Sequence, residues 1–584
     1  MKQIKRLEEG IIVSSPLGVN FCCLVVLVLL LGPVNLLAFT VTAAGNSEKV
    51  NVSEPFSPLH VAIVSIPLHG HFKPLQIIGE EFTRRGHRVT YFIENQNWCK
   101  KLVQIKDMVK CIVLPSYNVF SENFFRNLSQ LDNTLASLPE LFVEISRHHE
   151  LHLGDYLTAV KEVHAAHPLS MIISDVSTFV GGSVATALSI PSVTFLPLTT
   201  MIPLGVSSQI PIMGTGWPAR MNEWQRMANF GIKALLAIVP DKLDSVNTVR
   251  SLYGIKPIKD GFELGGWYDT IMAPTLWGFD IPHEVCPNFH PLGLLSFHEA
   301  RTSPMEKELA VFLDKCQVGS IYVNFGTLVE LSPFLGERIV KALRQLPYCI
   351  VWKLKDSEKQ SILKYLGEIK ERSFFSHFFI SPFNIMRHKN TVTFLSHCGD
   401  ASIHEAIDAK LPIVGIPFFA DQVDVCQRVE ESKIGKCLGE KNSFTSESLA
   451  KTIRHVVVNL HQMRNNMEYL LRISKFLGGA ERAVDILESR QRNHLLGRNE
   501  TLERCVIFNE ELETKLQPLF IRVAQLDVFL VWFIVFLPLW FPIFICAEKV
   551  ILCIKMILCG RVAHTKFRPR RFMAKSRSLQ LEVN

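Results

Sequence analysis

The chain has 584 residues, more than one hydrophobic core can organise, so two or more domains are expected. At 48% hydrophobic and 20% charged it is greasier than an ordinary soluble protein, and the excess sits at its two ends. The net charge of +7 is mostly local to the C-terminal tail, and no basic patch interleaved with aromatics occurs elsewhere, so the charge argues for a membrane surface and against nucleic acid.

At the N-terminus, Lys2, Lys5 and Arg6 precede the unbroken apolar run 21–31, and small residues lead to Ala43 and Ala44. This is the build of a secretory signal peptide, 1–44. An uncleaved anchor is the alternative, but the run is short for a span. Residues 59–66 form a near-continuous apolar strand of the kind buried in a parallel sheet. A polar loop, 67–74, follows with His69, Gly70, His71 and Pro74; a helix over 75–85 ended by Gly86 and a strand over 88–93 complete a βαβ unit. Residues 170–174 make another strand with Asp175 at its end, placed either to orient a catalytic imidazole or to cap the next helix. Between 199 and 290 there is no motif; Trp217, Trp224, Trp267 and Trp277 suit a pocket wall for an apolar acceptor or plain core equally.

A second set of units begins with a strand at Ser320–Asn324, a turn at Phe325, Gly326 and Thr327, a helix over 333–346 and a strand over 349–354. The richest stretch is 393–427. The apolar pair Phe394 and Leu395 reads as the end of a buried strand, Ser396, His397, Cys398 and Gly399 turn the chain, and a helix runs over 400–409 with Ile403, Ala406 and Ile407 on one face. Ser402 and Glu405, three apart, share another face. A strand over 411–416 then delivers Asp421 and Gln422 to the loop beyond it. Two strands thus present polar groups at one crevice, where open α/β sheets bind ligands. A helix N-terminus suits a phosphate, with His397 and Ser402 as added donors. Glu405 suits the paired hydroxyls of a ribose, and Asp421 with Gln422 suits sugar hydroxyls. A nucleoside diphosphate sugar meets all of these demands.

Residues 528–547 are apolar throughout and read as a membrane helix (526–548), and the basic tail 549–584 marks the cytosolic side. Acceptor sequons at Asn51, Asn127 and Asn499 fall on the lumenal side. Of fourteen cysteines, nine are lumenal and none form a CxxC pair, which indicates neither a zinc site nor a dense disulfide scaffold and leaves a few bridges open.

The spacing of His397, Gly399, Ser402, Glu405, Pro412, Asp421 and Gln422 resembles the donor signature of the UDP-dependent glycosyltransferases (glycosyltransferase family 1), which include animal UDP-glucuronosyltransferases and plant glucosyltransferases. Gly70, His71 and Pro74 resemble the N-terminal signature of the same family. The resemblance implies two doubly wound Rossmann-like α/β domains facing across a cleft, the GT-B arrangement, plus a C-terminal anchor. It places an acceptor domain at 45–293, a linker at 294–318 and a UDP-sugar domain at 319–525. It implies that His71 is the general base with Asp175 behind it, and that Thr327 supplies a hydroxyl to the diphosphate. Phe379 stands where the family stacks a tryptophan on uracil. Asp400 and Ala401 depart from the pattern, and Asp400 would bring a negative charge near the phosphate. The implied activity is inverting transfer of a hexosyl group, glucuronosyl or glucosyl, from a UDP-sugar to a hydroxyl of a small lipophilic acceptor, with no metal and no bound cofactor, in the endoplasmic reticulum. Homo- or hetero-oligomers stay open. The alternative is an inactive membrane-anchored binding or partner protein of the same fold.

Overall fold

The structure is a computed structural model. It describes residues 57–495 apart from 101, 103–107, 118, 132–136, 198–209, 239–242, 259–268, 283–287, 296–303 and 378–381. The expected signal peptide, membrane helix and tail, the sequons at Asn51 and Asn499, and Phe379 lie outside the described residues. Among the described residues no helix is long and apolar enough to cross a membrane.

Seven parallel strands make the first sheet: β1 (His60–Val64), β2 (Arg88–Ile93), β3 (Val109–Val113), β4 (Met171–Asp175), β5 (Ser192–Phe195), β6 (Thr270–Ala273) and β7 (Phe289–Pro291), in the order β3-β2-β1-β4-β5-β6-β7. Every residue of β1 is buried, which is why its sequence shows no alternation: helices cover both faces of a parallel sheet. Six parallel strands make the second: β8 (Ser320–Asn324), β9 (Cys349–Lys353), β10 (Ser373–Ser376), β11 (Thr391–Ser396), β12 (Ile413–Gly415) and β13 (Gly435–Cys437), in the order β10-β9-β8-β11-β12-β13. Both sheets reverse their winding beside the first strand, between β1 and β4 and between β8 and β11. Ligands bind outside the carboxyl ends at such points. The two facing doubly wound domains implied by the sequence are present.

The helices that position the site are α1 (His69–Arg84), α2 (Glu122–Gln130), α3 (Ser137–Ala166), α4 (Phe179–Leu188), α5 (Lys307–Lys315), α6 (Asp400–Ala409), α7 (Gln422–Glu431) and α8 (Gly479–Leu495). Three differ from the sequence reading. First, α1 begins at His69, not at residue 75, with Pro74 inside it, so His71 sits in a first helical turn and not in a loop. Gly70 and Pro74 disfavour helix locally, but Phe72, Pro74 and Leu75 are buried in the core and fix the turn. Second, α5 falls within the expected linker, yet Leu309 and Leu313 are fully buried against Tyr322, Val351 and Phe394, so it belongs to the second sheet. Third, α8 lies within the expected UDP-sugar domain but packs on α1 of the first. Arg85 there bonds Asp485 at 2.7 Å and the carbonyl of Glu481 at 2.9 Å, and His87 meets Glu488 at 2.8 Å. The chain therefore closes back on its own first domain.

A continuous apolar seam joins the domains on one side of the cleft. Ile66, Phe120, Phe125 and Leu128 from the first share a cluster with Val323, Phe325, Phe418 and Phe419 from the second. Arg126 bonds Glu330 across it at 2.7 Å. Neighbouring Asn127, the one sequon among the described residues, is exposed. Disulfides join Cys99 to Cys111, Cys316 to Cys349 and Cys426 to Cys437; Cys398 is buried and unbridged.

Candidate active site

β1 and β4 are neighbours, so the residues just past their carboxyl ends meet. His71 Nδ1 lies 2.6 Å from Asp175 Oδ2. A carboxylate accepts, so Nδ1 carries the hydrogen and Nε2 keeps its lone pair for an incoming proton. The other Asp175 oxygen accepts from the Ser177 N–H at 2.7 Å, and the carboxylate is fully buried, so it is locked in place. Burial works to lower the His71 pKa, but the charge and hydrogen bond of Asp175 and then the charge of Asp421 outweigh it, and the imidazole stands above its ordinary 6.5. Asp421 belongs to the opposite domain. His69 is exposed against Trp98, at 5.7 Å between rings.

In the second domain the turns after β8 and β11 lie side by side. Asn324 shapes the first: its Oδ1 accepts from the Gly326 N–H at 2.9 Å and its Nδ2 donates to the Tyr322 hydroxyl at 3.0 Å. Thr327 is exposed on this turn. Cys398, at φ +62°, turns the second so that Gly399 caps α6 without a side-chain cap hydrogen bond. His397 spans the two turns. A Cβ on Gly399 would meet its Nε2 at 2.4 Å, and one on Gly326 at 2.7 Å, so both turns need glycine for the ring to lie between them. Burial pushes the His397 pKa down to about 4, with Lys353 and Lys355 adding to the effect, so the ring is neutral near pH 7. Its Nδ1 has no hydrogen-bond partner. Ser402 is half-buried in the first turn of α6. This helix N-terminus, with one neutral imidazole and two nearby ammonium groups, suits a diphosphate. The two lysines went unnoticed in the sequence because an isolated lysine after a strand carries no pattern.

Asp400 opens α6. Its side chain is buried, and its carboxylate lies 3.8 Å from His404 Nε2, on the inner side of α6. Asp421 caps α7 in position only; its Oδ2 is buried without a hydrogen-bond partner. Burial, reinforced by the charge of Asp400, pushes its carboxyl up to about 7. Gln422 opens α7 instead of lying in a loop, and its Oε1 accepts from the N–H groups of Phe418 at 2.9 Å and Phe419 at 3.3 Å. Only its amide NH₂ is left to face a sugar hydroxyl.

Two contacts across the cleft had no sequence signal. Lys73, two residues after His71 on α1, pairs with Glu405, 332 positions away. Asp424 accepts from the N–H groups of Gly214 at 2.6 Å and Gly216 at 2.8 Å, while Arg428 donates to the Trp217 carbonyl at 3.0 Å. The motifless segment around Trp217 is thus strapped to α7. If Glu405 holds ribose hydroxyls, Lys73 competes for it. Glu405→Ala is expected to weaken UDP binding by about 1.5–3 kcal/mol, and Lys73→Ala to tighten it. Calorimetry with UDP checks both; weaker binding by Lys73→Ala would make Lys73 a phosphate ligand and remove the competition.

Comparison with known proteins agrees with this arrangement. The profile of the family described as UDP-glucoronosyl and UDP-glucosyl transferase matches residues 63–476. An ecdysteroid UDP-glucosyltransferase of Lymantria dispar multicapsid nuclear polyhedrosis virus is 29% identical over 198 residues, 33% of this chain and 37% of that protein. UDP-glucuronosyltransferase 2A3 of Pongo abelii is 25% identical over 427 residues, 68% of this chain and 77% of that one. The first curated relatives are matched over only about a third to a half of their length. Among solved structures, Os79 from O. sativa in complex with U2F and trichothecene superposes with a TM-score of 0.54 at 16% identity, over 74% of this chain and all of that one. At that identity the likeness shows the fold.

Proposed function

The chain belongs to the UDP-glucoronosyl and UDP-glucosyl transferase family, and on that premise we propose that it transfers a hexosyl group, glucuronosyl or glucosyl, from a UDP-sugar to a hydroxyl of a small lipophilic acceptor. The observation that carries the proposal is the His71–Asp175 pair at the switch point of one sheet, facing Asp421 and the glycine-capped N-terminus of α6 in the other. The acceptor O–H gives its proton to His71 Nε2, and Asp175 steadies the imidazolium through Nδ1–H. The freed oxygen attacks the anomeric carbon, and the bond from that carbon to the UDP oxygen breaks on the opposite face, which inverts the centre. The departing diphosphate takes the bonding pair and is met by the α6 N–H groups, His397, Ser402 and Thr327. Asp421 and Gln422 Nε2 face the sugar.

The test is UDP release by the purified full chain, given UDP-glucose, UDP-glucuronic acid or UDP-galactose with a panel of phenols and sterols. Acceptor-dependent release with one donor preferred is expected. No release with any pair, in protein that binds UDP, would replace the enzyme by a binding or partner protein of the same fold. The apolar run 528–547, the basic tail and the sequons support a lumenal body on a single-pass anchor in the endoplasmic reticulum. Endoglycosidase is expected to lower the mass of the membrane-bound protein; a tail reached by protease only from the lumen would reverse the topology.

A further inference from the structure

A second constellation of reactive side chains lies in the first domain, away from the catalytic pair. Glu94 follows β2 directly and is buried. His148 and His152 are four apart on α3, so they share a helix face, and both are completely buried. Their rings stack at 4.3 Å and 20°, so both present the same edge to Glu94. His148 Nε2 lies 2.6 Å from Glu94 Oε1, and His152 Nε2 lies 3.5 Å from Glu94 Oε2. One donor atom from each residue falls within 4.8 Å of the others.

The hydrogen bonding fixes what those atoms are. His152 Nδ1 is 2.9 Å from the His148 carbonyl, which only accepts, so Nδ1 carries the hydrogen. Nε2 of a neutral His152 therefore presents a lone pair to the carboxylate, and it has no hydrogen-bond partner. Two acceptors facing each other in a dry interior repel unless a cation lies between them. A second ring nitrogen donating to a backbone carbonyl is how metal-bound histidines are oriented. The Tyr156 hydroxyl donates to Glu94 Oε1 at 2.9 Å and orients the carboxylate in the same manner.

We propose that Glu94, His148 and His152 form a binding site for a divalent transition metal, Zn²⁺ above all, that ties α3 to the end of β2. Two imidazoles and one carboxylate are the hard-to-borderline donor set that Zn²⁺ takes. Tetrahedral ligation at about 2.0–2.2 Å sets neighbouring donors about 3.3–3.6 Å apart. The Glu94 Oε2–His152 Nε2 separation already falls there, and the Glu94 Oε1–His148 Nε2 pair need open by only about an ångström when metal replaces the shared proton, so each oxygen faces one imidazole. Phe120 at 5.7 Å from the His148 ring and Tyr117 at 4.8 Å from that of His152 wall the cluster. The metal takes no part in sugar transfer. It braces the helix that leads into β4 and Asp175.

The test uses the full chain, stripped with a chelator and reloaded with Zn²⁺ or Co²⁺. About one Zn²⁺ per chain is expected to survive dialysis against metal-free buffer. The Co²⁺ form is expected to show visible bands of a site with three protein donors completed by a water, without thiolate charge-transfer absorption. Tyr156→Phe is expected to weaken binding roughly 10–100-fold, as loss of an outer partner does, and His152→Ala to abolish retention. His149→Ala is the control, because His149 turns away to Ser183 at 3.0 Å, and retention should survive. Should His152→Ala fail to fold, X-ray absorption of the Zn²⁺-loaded wild type decides. A shell of nitrogen and oxygen with two imidazoles supports the site. Sulfur in the shell would assign the metal to Cys398 with Cys426 and Cys437, whose disulfide would have to be reduced, and would overturn the proposal. So would failure of the wild type to retain metal.

Discussion

Replacing His71 by alanine is expected to lower kcat by about two to four orders of magnitude while leaving UDP affinity unchanged, because a positioned general base contributes that much and His71 lies in the first domain, across the cleft from the α6 turn. The pH profile carries a second signature. Only the unprotonated imidazole can take the acceptor proton, and the charges of Asp175 and Asp421 hold its pKa above 6.5. The acidic limb of kcat/KM should therefore have its midpoint above that value, with activity rising as pH rises through it. Removing one of those charges with Asp421→Asn should move the limb to lower pH. The limb belongs to the coupled group, not to His71 alone, so the direction of movement is the observable. Steady-state kinetics and UDP calorimetry on both variants read the result. Turnover of His71→Ala within tenfold of wild type would remove His71 from the chemistry, and an unmoved limb in Asp421→Asn would separate the two domains electrostatically.

The site was legible in the sequence wherever function rests on strand ends. The apolar run before His71 and the one before His397 each announce a buried parallel strand, and the residue types that follow announce the ligand. What the sequence hid depends on atoms that pattern does not describe. Asp424 binds backbone N–H groups of Gly214 and Gly216, and backbone donors look alike in every sequence. A Cβ on Gly216 would meet Val423 Cγ2 at 2.4 Å, so that glycine is explained by a contact 207 positions away. Gln422 shows its residue type but not that its carbonyl end turns inward to Phe418 and Phe419. The start of α1 is not legible in the sequence, because Gly70 and Pro74 locally argue for a loop, while burial of Phe72 and Leu75, visible only once β1 and β2 are paired, overrides them.

The strap between Asp424 and the segment around Trp217 predicts a pH-dependent stability. Burial, with the nearby charge of Asp421, pushes the Asp424 carboxyl up to about 7, against the opposing pull of the two backbone N–H groups and of Arg428. Unfolded, the same group titrates near 3.8. A carboxyl whose folded pKa is raised stabilises the fold fully below the unfolded value and loses that contribution as pH rises through the folded one. Asparagine at this position does not titrate. Between pH 5 and pH 8 the wild type should therefore lose about 3 kcal/mol relative to Asp424→Asn, two units of pH below the folded pKa at about 1.4 kcal/mol each. Comparing the two proteins is essential, because buried imidazoles such as His149 and His397, pushed down to about 3 and about 4, pull the whole-molecule curve the other way as pH falls below 6.5. They are common to both proteins and cancel in the difference. Thermal melts of the full chain and of Asp424→Asn across this range should show the gap in Tm moving in the variant's favour as pH rises. A gap constant from pH 5 to 8 would mean that Asp424 stays ionised throughout. The strap would then be a charge-assisted clamp, and the helix carrying Asp421 and Gln422 would be held to the first domain equally well throughout that pH range.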